Sequence, residues 1–216
     1  AALGHISQGN GISIDENGKA STVQKVIDTA TTYYVDVSRT DNSGDGLTPA
    51  TAFKNLQYAV NLINNKTLKA DVKIRVLAGD YSAEEQIVVE NLSGNGILTI
   101  AACDGTNNVA DNTLAANYKI DSIMCRYCYN PLVAIQSLQS TYNSNARYGF
   151  YATRSRKVEF LYCNDTVNAT SKIAFAFNYS TDGQVAYSIA SNKLIALVAS
   201  YCSEVVSYNW TAGSGN

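Results

Sequence analysis

The chain has 216 residues, 46% of them hydrophobic and only 16% charged, with a formal net charge of -2. That composition supports a sizeable core and excludes a disordered segment. The lack of a basic block removes the electrostatic footing for nucleic-acid binding, and no apolar run approaches the roughly 20 residues that cross a bilayer.

Residues 1–32 read as a unit of their own. GNGISIDENGKAS alternates apolar and polar positions through Ile12 and Ile14 and turns at Asn17-Gly18, a strong hairpin dipeptide. Val23, Val26, Ile27 and Ala30 then recur at helical spacing, with Ser21 or Thr22 placed to cap, which predicts a short helix. TYYVDV is a strand by its β-branched and aromatic content. DNSGDG must be a loop, because Gly44 and Gly46 accept positive φ and the Asp and Asn side chains bond their own backbone. Pro49 suits the start of a helix and Thr51 an N-cap. Phe53, Leu56, Ala59, Val60 and Ile63 form one apolar stripe, which predicts a helix near 52–64. VKIRVLAGDY follows, with Val72, Ile74 and Val76 on one strand face and Gly79-Asp80 at the turn.

Short strand patterns then recur to the end: QIVVEN, GILTIAA, YKIDSIM, PLVAIQSL, YGFYAT, KVEFLYC, IAFAFN, QVAYSIA, LIALVAS and VVSYNW. Many strands with few helices fit a sandwich, a barrel or a solenoid. Three segments decide among them. Val158, Phe160 and Tyr162 align with Val185, Tyr187 and Ile189, and these with Val206, Tyr208 and Trp210, at offsets of 27 and 21 residues (185 − 158 and 206 − 185). Eight residues before each valine stands another apolar residue, Phe150, Phe177 or Val198. Two strands per turn with stacked large residues point to a right-handed parallel β-helix over 33–216, rather than a sandwich. Such a stack exposes strand edges at its end, and the helix near 52–64 is placed to cap them.

Some of these stretches resemble known proteins. GDGLTPATAFKNLQYAV followed by VKIRVLAGDY resembles the N-terminal capping segment of pectin-lyase-like right-handed β-helix proteins, with Asp45, Gly46, Pro49, Phe53, Gly79 and Tyr81 in the matching places. GNGISIDENGKAS resembles the short β-units of bacteriophage tail fibres and tailspikes, and ENLSGNGILTIAACDG resembles phage β-helix coils. The resemblance implies a solenoid carried on a virion. The same fold hosts lyases, hydrolases and pure binders, so it does not by itself give an activity.

The candidate chemistry is sparse. Cys103, Cys125, Cys128, Cys163 and Cys202 are an odd count; CRYC lacks a second pair, and the single His5 is far away in sequence, so buried apolar thiols are expected rather than a metal or redox site. Asp41, Ser43 and Asp45 mimic half a calcium loop, but Ala52 stands where the bidentate Glu belongs. Sequons at Asn65, Asn91, Asn164, Asn168, Asn178 and Asn209 are discounted in a chain so rich in Asn and Thr. A polysaccharide-cutting site needs paired carboxylates; among Asp121, Glu159, Asp165, Asp182 and Glu204, only Glu159 and Asp165 are placed to converge. Arg154, Arg156 and Lys157 offer bases without an acidic cluster. Sugar binding has the better physical case, since rigid strand faces bearing Tyr and Asn stack on sugar rings and bond hydroxyls at little entropic cost. Tyr127, Tyr129, Tyr142, Tyr151 and Tyr201 are the outward candidates, and Trp210 is read as inward.

The expectation is therefore a phage tail fibre or tailspike, a homotrimer joined through residues 1–32 to other virion tail proteins, presenting a β-helix surface to host cell-surface polysaccharide. It needs no cofactor, binds no nucleic acid and does not insert in a membrane; its place is the virion tail, outside the cell. The alternatives are a polysaccharide depolymerase, lyase or glycoside hydrolase, and a bacterial surface adhesin. A start at Ala1 and an end in TAGSGN are expected of a processed form or an excised piece of a longer protein.

Overall fold

A computed structural model describes residues 12–14, 20–22, 25–142, 146–166, 169–179, 181–202 and 204–212. The chain is mainly β, and among the described residues its strands pair in parallel apart from one antiparallel pair. Ile12–Ile14 pairs with Ala20–Thr22 as the expected hairpin, whose Asn17-Gly18 turn lies outside the described residues. The helix expected just after it is a correction: Val26–Ile27 is a strand, paired in parallel with Thr67–Leu68, which pairs in turn with Ser93–Gly94. β-branched neighbours that find a ladder outweigh a weak helical periodicity. Ser21 and Thr22 lie in the hairpin strand Ala20–Thr22.

Three larger parallel sheets carry the rest, with seven, six and five strands. The chain visits them in rotation. Val133–Gln136 enters the seven-stranded sheet, Gln139–Ser140 the six-stranded and Tyr148–Thr153 the five-stranded; Lys157–Leu161, Asn164–Asp165 and Ala169–Asn178 repeat the circuit. The expectation of two strands per turn missed the six-stranded sheet, in which four of the later members, Gln139–Ser140, Asn164–Asp165, Ile189–Ala190 and Thr211–Ala212, have two residues each, too short to show a period.

Parallel pairing sets equivalent side chains in files. Ile74, Ile100, Ile135, Phe160 and Val185 stand level in one file, and Ile87, Ile123, Phe150, Phe175 and Leu197 in another. The first file is wholly buried, and in the second only Leu197 keeps some exposure. Phe150 and Phe175 stack at 5.1 Å, and Phe160 and Phe177 lie 5.3 Å apart. Gly183 stands opposite Val158, where a Cβ would come 2.5 Å from the Phe177 ring, so the glycine leaves room for that ring.

The register corrects the expected alignment. Val185 stands opposite Phe160, not Val158, and Ser207 rather than Val206 stands opposite Val185. Likewise Phe150 is level with Phe175 and Leu197, not with Phe177 and Val198. A two-residue slip keeps every side chain on its own face, so alternation alone does not detect it. The one-residue slip shows in Val206, which points to solvent, whereas Val205 packs against the core.

The predicted helix near 52–64 is shorter than expected, Leu56–Asn61. Pro49–Thr51 is a 3-10 turn capped by Thr48, so Thr51 closes a capping box instead of opening the helix. Phe53 pairs instead with Val35, its backbone N–H donating to Tyr34 at 3.0 Å. No side chain of Asn55 caps the helix; the Glu84 carboxylate does, accepting from the N–H groups of Leu56 and Gln57 at 2.8 Å each. The apolar stripe is buried throughout, from Phe53 to Ile63. Gly79 and Tyr81 pin the neighbouring segment. Tyr81 is buried, with its hydroxyl within reach of the Val35 and Leu77 carbonyls, and a Cβ on Gly79 would meet Val37 at 2.4 Å. Gly79–Asp80 is itself a short strand, not a turn.

The helix also covers a sheet edge. Gln86–Glu90 is the first strand of the five-stranded sheet, so its outer backbone groups have no strand to pair with. The amide of Gln57 accepts from Val88 N–H (2.7 Å) and donates to its carbonyl (3.2 Å). Asn64 donates to the Val88 carbonyl (2.9 Å) and accepts from Glu90 N–H (2.9 Å). Two side-chain amides thus stand in for a missing strand. Gln57→Ala combined with Asn64→Ala should cost about 2–4 kcal/mol and raise aggregation, since partly buried groups lose their partners and the edge is freed. Urea unfolding and light scattering check this; an unchanged midpoint would show the amides to be incidental.

Candidate functional site

At two corners of the later circuits a residue other than glycine turns the chain with positive φ. After the five-stranded sheet come Asn91, Tyr127, Arg154, Tyr179 and Tyr201, with φ of 55°, 56°, 48°, 52° and 57°. After the seven-stranded sheet come Ser137, Tyr162, Tyr187 and Asn209, at 56°, 55°, 52° and 47°. The left-handed region costs a bulky residue about 1–2 kcal/mol. Two gains offset it. Most of these corner N–H groups donate to the next circuit, as Tyr127 does to Thr153, Arg154 to Asn178 and Tyr179 to Ser200, so the ladder is unbroken through the bend. The side chains also stack. The residue after a corner turns inward at Leu92, Cys128, Ser155, Leu138 and Cys163, all of them buried.

The first corner forms a continuous outer column. Arg154 lies over the rings of Tyr127 (5.8 Å) and Tyr179 (4.9 Å), and Tyr179 stacks on Tyr201 at 5.5 Å with planes 6° apart. Tyr179 is 46% and Tyr201 81% exposed, so the faces at this end of the column are open to solvent. Beside it, on the outer face of Tyr148–Thr153, Ala169–Asn178 and Lys193–Ser200, lies a groove of about 340 Å³. Ile173 and Val198 line its floor; Tyr148 stands at one end and Tyr179 and Tyr201 at the other. Tyr148 stacks on Tyr151 at 4.5 Å, and Asn178 donates to the Tyr151 hydroxyl at 3.3 Å. Aromatic rings fixed by stacking and an amide beside them can hold a flat, hydroxyl-rich ligand at low entropic cost. The second corner stacks too, Tyr162 on Tyr187 at 4.9 Å, but it is crossed by the loop that carries Asn112, which donates to the Tyr187 carbonyl at 2.8 Å.

Of the five sequence-predicted tyrosines, Tyr201 lines the groove, Tyr127 stands in the corner column, and Tyr151 contacts Tyr148 and Asn178, which line it. Tyr129 is exposed outside it. Tyr142 is a correction: it is 8% exposed, its hydroxyl within reach of Asp165 and of the Ile173 carbonyl (2.8 Å). Trp210 turns inward as expected, edge-on to Phe175. Sequence reasoning missed Arg147, Tyr148, Arg154 as a stacking member, Asn178 and Tyr179. A signal was present: Tyr127-Cys128, Tyr162-Cys163, Tyr179-Ser180, Tyr187-Ser188 and Tyr201-Cys202 repeat one dipeptide type at the corners.

The proposed carboxylate pair does not form. Glu159 lies in the seven-stranded sheet and pairs with Lys157 at 2.9 Å. Asp165 is in a strand of the six-stranded sheet, not a loop, and is fully buried, with its carboxylate on Lys193 at 2.9 Å and on Tyr142. A Cβ on Gly149 would strike Asp165 and Tyr142, so this glycine makes room for the cluster. Asp182 opens a strand rather than a turn. Arg156 is exposed, and Asp121 is buried with the Ser122 hydroxyl on its carboxylate at 2.8 Å. Asp41 and Asp45 bond their own loop: Asp45 accepts from Thr51 Oγ1 (2.6 Å) and Leu47 N–H (3.0 Å), which hold its carboxyl below the usual range. Cys103, Cys125, Cys128 and Cys163 are buried free thiols; burial pushes Cys128 and Cys163 up to about 12, which makes them poor nucleophiles and ligands. Among the described residues no three His, Cys, Asp or Glu side chains gather as a metal site.

Comparison with protein-family models, with curated proteins and with solved structures returned no match.

The buried cluster has a pH signature. Burial, against the pull of Lys193, raises Asp165 from 3.8 to about 6. A carboxyl whose folded value is raised contributes stability that is fully present below about pH 4 and lost as pH rises through about 6. Relative to Asp165→Asn, the unsubstituted protein should lose roughly 2–3 kcal/mol between pH 4 and pH 8. Paired urea titrations across that range measure the difference; parallel curves would place the charge of Asp165 outside the fold's energetics.

Proposed function

We propose that this chain is the receptor-binding part of a bacteriophage tail fibre or tailspike, a right-handed parallel β-helix that holds cell-surface polysaccharide along its tyrosine corner. The observation that carries the saccharide reading is the exposed, mutually stacked column of Tyr127, Arg154, Tyr179 and Tyr201 beside a groove that Tyr148 and Asn178 also line. Strand rotation through three parallel sheets supports the solenoid reading, as does the helix over its first edge. The virion setting rests on the likeness of residues 9–21 and 45–81 to fibre β-units and capping segments. On this reading the chain is a threefold homo-oligomer joined through residues 1–32, and it binds without cutting, because Glu159 and Asp165 are each engaged by their own lysine.

Full-length protein should bind bacterial capsular polysaccharide or lipopolysaccharide in calorimetry and release no new reducing ends. Tyr179→Ala with Tyr201→Ala should weaken binding about tenfold or more, while Tyr129→Ala, outside the groove, leaves it unchanged. A double variant that binds as tightly as the unsubstituted chain would remove the corner from the reading. A solution mass of one chain rather than three would remove the fibre.

A further inference from the structure

The groove sits in a stretch of one-sided charge. From Ala146 to Ser203 the chain has six Lys or Arg and three acids, on a molecule that is net negative overall. Two of those acids, Glu159 and Asp165, are already paired with Lys157 and Lys193. Lys172 donates to the Ala146 carbonyl at 2.6 Å and faces the Tyr142 ring. Of the other three, Arg156 is exposed but lies over no ring among the described residues, which leaves Arg147 and Arg154. Both are exposed, both lie over tyrosine rings, and neither has a carboxylate partner among the described residues.

The lower part of the same sheet shows that the fold does supply such partners. Arg126 and Glu90 stand level on adjacent strands and pair at 2.6 Å. One rung higher, Thr153, Asn178 and Ser200 occupy that file, so it offers no acid to Arg154, the residue after Thr153. Arg147 lines the groove and Arg154 lies over Tyr179, a ring that lines it; the two precede and follow Tyr148–Thr153, roughly 20 Å apart at about 3.3 Å per strand residue. Guanidinium groups in this arrangement match planar oxyanions and can bind them through paired N–H donors.

We infer that the groove takes an acidic glycan, one bearing carboxylate or sulfate groups, with Arg147 and Arg154 holding anionic substituents while the tyrosines stack on the sugar rings. This rests on the saccharide reading above and adds the charge class to it. Both halves are needed. The tyrosines supply ring contacts that a simple polyanion cannot use, and the arginines supply charge that a neutral glycan cannot use.

The test uses full-length protein in calorimetry at low and high salt. Its probes are bacterial surface polysaccharide split by anion exchange into acidic and neutral pools, the matched pair dextran sulfate and dextran, and polyglutamate. The acidic pool and dextran sulfate should bind at least about tenfold more tightly than their neutral counterparts, and the advantage should shrink with salt. Arg147→Gln and Arg154→Gln should each lower acidic-glycan affinity about tenfold, a several-fold larger loss than for any neutral glycan, and Arg154→Lys should recover only part of it. Equal binding of acidic and neutral pools, or indifference to both arginine substitutions, overturns the inference and leaves the saccharide reading standing. Polyglutamate binding as tightly as the acidic glycans overturns it as charge attraction alone. Binding of none of the glycans overturns both.

Discussion

The parallel register between successive circuits is the constraint from which the rest follows. Each strand's backbone groups are satisfied by strands one circuit away, so equivalent residues must stand level and inward side chains must share files. A file has a fixed cross-section. Phe150, Phe160, Phe175 and Phe177 fill it in the later circuits, and Gly183 and Ala152 give way beside them. The same constraint makes the first rung a liability, because its outer groups have nothing to pair with. Gln57 and Asn64 resolve this chemically: a side-chain amide presents the same donor and acceptor as a peptide, and the two, one in the helix and one just past its end, reach Val88 and Glu90.

Corners are where the register is hardest to keep. A bend that stops the ladder would leave buried N–H groups unsatisfied, and a left-handed residue both turns the chain and keeps its N–H aimed at the next circuit. Glycine would adopt that conformation at no steric cost, yet it would offer no side chain to stack. Tyrosine accepts strain of about 1–2 kcal/mol and recovers it through ring contacts with its neighbours above and below. Fold and site thus share one device. The column that stabilises the bend is also a rigid aromatic surface, already ordered before any ligand arrives.

Much of this was legible in the chain. β-branched and aromatic alternation marked the strands of four or more residues, and the stripe from Phe53 to Ile63 marked the covering helix, because burial writes itself into period. What failed were features without a period. The register slipped because Val158, Phe160, Val185 and Val206 are interchangeable as apolar residues. The two-residue strands at Gln139–Ser140 and Asn164–Asp165 were invisible, and Asp165 looked like loop surface because its partner Lys193 lies a circuit away. Tyr142 misled for a similar reason: an aromatic followed by polar residues resembles surface, but its hydroxyl has a buried carboxylate to meet. The corner column was half visible, since tyrosines stood out singly and their stacking on Arg154 depends on a register that only coordinates give.

The buried cluster and the groove are two sides of one wall. Tyr142 reaches the carbonyl of Ile173, whose side chain lies on the groove floor, and the N–H of Ile173 donates to the carbonyl of Arg147 at 3.0 Å. Asp165 and Lys193 hold Tyr142 from within, and Gly149 leaves space for the contact. An apolar file at this position would pack well but would leave the backbone around Ile173 and Arg147 without that anchor. A buried ion pair adds little net stability over well-packed apolar residues and instead favours one arrangement over its alternatives. Here the arrangement selected is the one that sets the end of the groove, so the polar interior is best understood as fixing geometry on the surface above it.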